Sequence, residues 1–190
     1  MSTGGLAPAG GFVILCICTA NICRSPVAAA VLRGELAAAT GDFRVQSAGV
    51  RGLDGSPMDA RAAAALRRWR YPVGDFRART ITAAMCESAD LVLTATRTQR
   101  SAVLEMAPRA LRRTFTLLEF EHGAADLAGL PAAEGGPAGL VANVFAARGT
   151  LDIDDYDIAD PFGRHADEYQ RILGRVRVAA VGVASALVGD

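Results

Sequence analysis

Residues 12–33 constrain the fold more than any other stretch of the chain. Phe12 to Cys16 is an apolar run of strand length. Pro26 suits the first turn of a helix, with Ser25 as its cap. Apolar residues continue at Val27, Ala30, Val31 and Ala38, close to helical spacing. The intervening loop, Cys18 to Arg24, is therefore expected at the carboxyl end of a buried strand and the amino end of a helix. Open α/β sheets bind ligands there. Unpaired amides and the helix dipole also favour an anion at such a place.

Cys18 and Arg24 are separated by five residues within this loop. Four Cys and 20 basic residues, all Arg, in 190 residues produce about 0.4 such pairs by chance, so the spacing alone is weak. The context makes it specific. A thiolate nucleophile needs positive surroundings, which a helix amino terminus and an Arg supply. A guanidinium grips two phosphate oxygens at once. Successive loop amides form a nest for the others. The plain alternative is that Cys18 packs as a small apolar strand-end residue.

The run from Cys18 through Thr19, Ala20, Asn21, Ile22, Cys23, Arg24, Ser25 to Pro26 resembles the phosphate loop of the low-molecular-weight protein tyrosine phosphatases, of bacterial type. The resemblance implies that residues 19–25 bind phosphate, that Asn21 pins the loop backbone, and that Ser25 hydrogen-bonds the Cys18 sulfur. Ala20 departs from the Gly common at its position. Either the backbone there needs no positive φ or the loop is altered. In the family the pair equivalent to Cys18 and Cys23 can close a disulfide, so Cys23 is expected to guard Cys18 against peroxide.

A chain of 190 residues suits one domain. The formal net charge is zero, so bulk charge suggests neither nucleic acid nor an acidic membrane as partner. Residues 1–11 are Gly-rich, lack a basic residue and do not resemble a signal peptide; they read as a flexible tail. The most apolar segment, residues 178–188, is too short to span a bilayer, and membrane insertion is not expected. Four Cys without a secretory context point to a reducing compartment, the cytoplasm. They show no metal-ligand spacing, so neither metal nor other cofactor is expected.

Strand and helix signals alternate along the chain. Strands are expected at Phe43–Gly49, Asp90–Thr96 and Thr114–Leu118. Helices are expected from Ser56 to about Arg70, from Thr82 through Glu87, from Thr96 to Met106 and from Tyr169 onward. This alternation means a parallel sheet with right-handed crossovers. The resemblance implies a three-layer, doubly wound α/β fold with four strands in the order 2-1-3-4. It also implies that Ser47 supports the phosphate loop and that Leu53 and Phe162 wall the cleft. Leu53 resembles the aliphatic residue of the bacterial enzymes linked to exopolysaccharide export. Phe162 stands where many members carry Tyr. Residues 121–150, rich in Ala, Gly and Pro, read as an insertion with a helix near Leu140–Ala147.

Ester cleavage needs a proton for the leaving oxygen. His122 and His165 lie far from the loop in sequence, which leaves a carboxylate. Asp160-Pro161, shortly before the last helix, resembles the Asp-Pro of the family's acid loop. The plain alternative is an Asp turn ahead of that helix.

The residues and the resemblance together imply a metal-independent phosphomonoesterase acting on phosphotyrosine proteins, with Cys18, Arg24 and Asp160 as catalytic residues; a tyrosine kinase of an exopolysaccharide export system is one candidate partner, and the choice between a partner kinase, an export system and a soluble target stays open. Three other readings stay open. Protein arginine phosphatases tend to carry Thr where Ile22 stands. Thioredoxin-coupled arsenate reductases need resolving cysteines after the third strand, where this chain has none. A non-enzymatic phosphate-binding regulator would keep Arg24 and lose Cys18 or Asp160. The oligomeric state is open.

Overall fold

The computed structural model describes residues 11–127 and 134–189. The expected tail therefore lies, apart from Gly11, outside the described residues, as do residues 128–133 of the expected insertion.

Four parallel strands, β1 (Phe12–Cys18), β2 (Phe43–Gly49), β3 (Leu91–Thr94) and β4 (Thr114–Thr116), form one sheet in the order β2-β1-β3-β4. Seven α-helices accompany them among the described residues: α1 (Arg24–Glu35), α2 (Ala60–Arg68), α3 (Ala83–Ser88), α4 (Arg97–Met106), α5 (Leu117–Asp126), α6 (Gly136–Ala147) and α7 (Ala166–Val188). The side chains of β1 alternate between two cores, as the pleat requires. Ile14 and Cys16 enter a large core with residues of α1, α2, α5, α6 and α7. Leu15 and Ile17 enter a smaller one with Val92, Cys86 of α3 and Val103 of α4. Both faces of β1 are thus covered, which is why its apolar run is continuous. The apolar stripe of the last helix, Tyr169, Ile172, Leu173, Val176, Ala180 and Val183, is buried in the large core.

Several boundaries differ from the sequence reading, and each difference has a local cause. Strand β1 runs two residues further, because Ile17 and Cys18 pair with Ala48 and Gly49. Ser25 is not the cap of α1. The helix begins at Arg24 with Cys23 as its N-cap residue, and the Ser25 hydroxyl turns into the loop. Helix α2 begins at Ala60 rather than Ser56. Asp59 caps it by accepting from Arg61 N at 2.9 Å and Ala62 N at 3.2 Å, while Ser56 and Pro57 belong to the preceding loop. Strand β3 stops at Thr94, because Thr96 caps α4 in a reciprocal capping box with Gln99. Strand β4 stops at Thr116 for the same reason: Thr116 and Glu119 form a capping box that turns Leu117 and Leu118 into helix α5. Helix α7 begins at Ala166, three residues before Tyr169, with Asp167 and Glu168 in its first turn. Helix α6 contains the turns expected at 140–147.

Glu119 also ties this end of the sheet together. Its side chain is 2% exposed and accepts from Arg100 at 2.7 Å and from Arg148 Nε at 2.8 Å. Arg148 donates onward to the Thr114 carbonyl at 2.6 Å and stacks on Phe115. Removing the carboxylate leaves two part-buried guanidinium groups unpaired. Glu119→Ala is expected to lower stability by about 3 kcal/mol, read as a lower midpoint in urea unfolding. Loss below about 1 kcal/mol would show that the triad adds little.

Candidate active site

The loop expected to bind phosphate runs over residues 19–23, with Cys18 ending β1 and Arg24 opening α1. It sits at the carboxyl end of the sheet, with β1 flanked by β2 on one side and β3 on the other. Loop residues Ala20, Asn21, Ile22 and Cys23 direct no backbone N–H to an acceptor among the described residues. These amides and the start of α1 make a nest for an anion.

Asn21 organises the nest. Its side chain is fully buried. Nδ2 donates to Ser25 Oγ at 2.9 Å and to Ser47 Oγ at 3.0 Å, and Oδ1 accepts from Arg79 N at 3.0 Å. Its backbone is left-handed, with φ 58°, a conformation that Asn tolerates better than most residues. The loop's left-handed residue is therefore Asn21 and not Ala20, so Ala20 is unstrained. Gly49, paired with Cys18 across the sheet, is required by close approach: a Cβ there would stand 2.5 Å from the Thr19 carbonyl and 2.9 Å from Asn21 N.

Cys18 is buried, and its Sγ lies 3.0 Å from Ser25 Oγ. The Ser25 hydroxyl accepts from Asn21 and also lies 3.3 Å from the Ala48 carbonyl. The structure thus places Ser25 and Ser47 where the sequence reading expected loop support.

Arg24 is 4% exposed. It donates to the Ile158 carbonyl at 2.9 Å and to Asp160 Oδ2 at 2.7 Å, while its Nε is buried without a partner. Cys18, Arg24 and Asp160 share a pocket of about 200 Å³. Ile22, Leu53 and Phe162 supply its apolar walls, and Leu53 and Phe162 remain 49% and 69% exposed. Phe162 N donates to Asp160 Oδ1 at 3.1 Å, so the acid loop closes on itself around Pro161.

Three supports escaped the sequence reading. Gln99 caps α4 and also donates from Nε2 to Thr19 Oγ1 at 3.0 Å. The Thr-x-x-Gln capping box at 96–99 marks that helix start, although nothing in it points to Thr19. Arg79 holds the Ser47 carbonyl through Nε at 2.9 Å. Tyr169 donates to Asp59 at 2.6 Å and lies 3.4 Å from Cys23 Sγ. Burial pushes the Cys23 thiol up to about 11, and that of Cys16 up to about 12. All four cysteines are free, and Cys86 lies in the smaller core, away from the loop. Among the described residues no three His, Cys, Asp or Glu side chains gather as a metal site requires.

Because Asn21 combines three buried hydrogen bonds with a left-handed backbone, two substitutions separate the contributions. Asn21→Ala is expected to cost about 2–4 kcal/mol in urea unfolding. Asn21→Gly should recover roughly 1 kcal/mol of that by relieving φ. Equal losses would mean that the backbone conformation contributes nothing.

Residues 13–132 match the family model described as low molecular weight phosphotyrosine protein phosphatase. A relative from Ralstonia nicotianae, named as the probable low molecular weight protein-tyrosine-phosphatase EpsP, is 33% identical over 109 residues, which is 57% of this chain and 72% of that protein. The protein-arginine-phosphatase of Geobacillus stearothermophilus is 29% identical over 157 residues, 83% of each chain. The crystal structure of the Erwinia amylovora tyrosine phosphatase AmsI superposes with a TM-score of 0.70 over 96% of this chain and 97% of that one, at 23% identity. With a matched model over most of its length and the four-stranded order 2-1-3-4, the chain belongs to the low molecular weight phosphotyrosine protein phosphatase family.

Proposed function

We propose that this chain hydrolyses phosphotyrosine in proteins through a cysteinyl-phosphate intermediate. The observation that carries the reading is the convergence of Cys18, Arg24 and Asp160 on one pocket with apolar walls. The Cys18 thiolate attacks phosphorus in line, forming the S–P bond as the P–O bond to the phenol breaks. Asp160, protonated at that stage, gives its proton to the departing phenolic oxygen. Arg24 and the amides of residues 19–24 meet the negative charge spread over the other three oxygens. Water then attacks the cysteinyl phosphate, Asp160 takes its proton, and inorganic phosphate leaves with the Cys18 thiolate restored. The Ser25 hydroxyl, 3.0 Å from Sγ, supports the sulfur as leaving group.

The Arg24–Asp160 contact must loosen when the arginine turns its fork to phosphate. Its strength is limited because the Asp160 side chain is 52% exposed. Ile22, Leu53 and Phe162 favour a flat aromatic ester over a guanidinium phosphate. The proposal includes a cytoplasmic setting, consistent with four free cysteines and with no helix among the described residues long and apolar enough to cross a membrane. Several relatives carry the names EpsP, AmsI and Wzb, and a bacterial tyrosine kinase of an export system is the proposed substrate class.

The test is turnover of p-nitrophenyl phosphate and of phosphotyrosine, phosphoarginine and phosphoserine peptides in the presence of a chelator. Phosphotyrosine is expected to be fastest. Cys18→Ser is expected to abolish turnover yet retain phosphate binding, and Arg24→Lys is expected to fail because an ammonium lacks the fork. Asp160→Asn should slow p-nitrophenyl phosphate by roughly 10²–10⁴. Faster turnover of phosphoarginine would reassign the substrate, and activity in Cys18→Ser would overturn the mechanism.

Cys23 lines the same pocket as Cys18, and the proposal extends to a protective disulfide between them. Peroxide converts the Cys18 thiolate to a sulfenic acid, and the Cys23 thiolate displaces hydroxide from it, forming the S–S bond as the S–O bond breaks. With the Cys23 thiol up at about 11, its thiolate fraction grows about tenfold per pH unit at neutral pH. Disulfide formation is therefore expected to accelerate as pH rises. Inactivation should be reversed by thiol reductant in the wild type and irreversible in Cys23→Ser; equal recovery of both would remove this role from Cys23.

A further inference from the structure

A second cleft of about 610 Å³ opens beside the catalytic pocket and shares Thr19, Arg24 and Asp160 with it. Its outer wall is the loop after β2, and its other wall is the start of α4 with the acid loop. The β2 loop is laced to the phosphate loop. Val50 N donates to the Cys18 carbonyl at 3.0 Å, Arg51 N to that of Thr19 at 2.9 Å, and Leu53 N to that of Ala20 at 3.1 Å. Gly52 closes against the next segment, where a Cβ would stand 2.5 Å from Arg79 and Thr80 backbone atoms. Arg51 is therefore presented from a backbone in fixed register with the nucleophile.

The charges facing this cleft are Arg24, Arg51, Asp157 and Asp160. Arg24 and Asp160 pair at 2.7 Å. Asp157 accepts from Arg97 N at 2.7 Å and lies 3.5 Å from Arg97 Nε. The Arg51 guanidinium, exposed, makes no hydrogen bond or ion pair among the described residues. The uncommitted charge of the cleft is thus positive, and Thr98 and Gln99 add polar surface opposite it.

We infer that this second cleft is a subsite for the protein substrate, in which Arg51 selects an acidic side chain flanking the phosphotyrosine. The inference rests on the phosphotyrosine reading above and deepens it. A phosphotyrosine ring lying between Leu53 and Phe162 leaves its flanking chain to run over the shared edge at Thr19, within reach of Arg51. An acidic neighbour gains an ion pair there, whereas a basic neighbour meets a like charge.

The test compares kcat/KM for phosphotyrosine peptides carrying Glu, Ala or Lys at each position within three residues of the phosphotyrosine, with p-nitrophenyl phosphate assayed alongside. In the wild type, Glu on at least one side should exceed Ala by about 2- to 5-fold, the range of an exposed ion pair, and the gap should narrow at high salt. Arg51→Ala should level the series and Arg51→Glu should invert it toward Lys, both with an unchanged rate on p-nitrophenyl phosphate. Equal rates across the wild-type series, or a Glu preference that survives in Arg51→Ala, would overturn the subsite and leave the catalytic reading intact. Failure to turn over p-nitrophenyl phosphate or any peptide would overturn both.

Discussion

Burial of the Arg24 charge is the constraint on which the site depends. A guanidinium that is 4% exposed is costly unless its donors are met, and here its two terminal nitrogens are met by a distant part of the chain, while Nε has no partner among the described residues. The Ile158 carbonyl and the Asp160 carboxylate come from residues 134 and 136 positions further on. Ile158 is itself buried and donates its N–H to the Ala95 carbonyl just past β3. A single path of hydrogen bonds thus runs from the end of β3, through the acid loop, to the first residue of α1. It holds the Asp160 carboxylate at the pocket that Cys18 also lines.

A second set of contacts fixes the loop between β1 and α1 from below and from the side. Asn21 gathers Ser25, Ser47 and Arg79, and the loop after β2 is laced along the carbonyls of Cys18, Thr19 and Ala20. Gln99 reaches Thr19 from α4. These supports come from both neighbours of β1 in the sheet, which the order β2-β1-β3-β4 makes possible. The rest of the molecule serves that placement. Helices α1 and α7 pack across the large core, and Tyr169 in that core bonds Asp59 at the start of α2 while touching Cys23. The Glu119 triad holds β4, α4 and the segment after α6 together at the opposite edge of the sheet.

Local interactions explain which parts could be read without coordinates. The strand–loop–helix of residues 12–33, the Cys18 to Arg24 spacing and the apolar stripe of α7 each depend on neighbours in sequence, so periodicity and spacing revealed them, whereas Asp160-Pro161 stood out through its resemblance to a family's acid loop. The errors were equally local. Capping boxes at Thr96–Gln99 and Thr116–Glu119, and the Asp59 cap, override the apolar runs that extended strands β3 and β4 and began α2 too early. A side chain that satisfies the free amides of a first turn ends the strand even where the next residues are apolar.

The sequence alone determined the parallel fold, because alternating strand and helix signals carry that information, and its local pattern set Cys18 and Arg24 at the two ends of the loop after the first strand; the roles proposed for Cys18, Arg24 and Asp160 it offered only through resemblance to a family. It left open whether position 20 needs a left-handed backbone, and it did not mark Gln99 and Arg79 as supports or Arg51 as an unpaired charge beside the pocket. Only the tertiary structure decided these, by assigning φ 58° to Asn21 and by bringing the ends of β2, β3 and the acid loop around one strand. Pairing across the sheet joins residues tens of positions apart, and no local pattern encodes which hydrogen-bonding group will meet which.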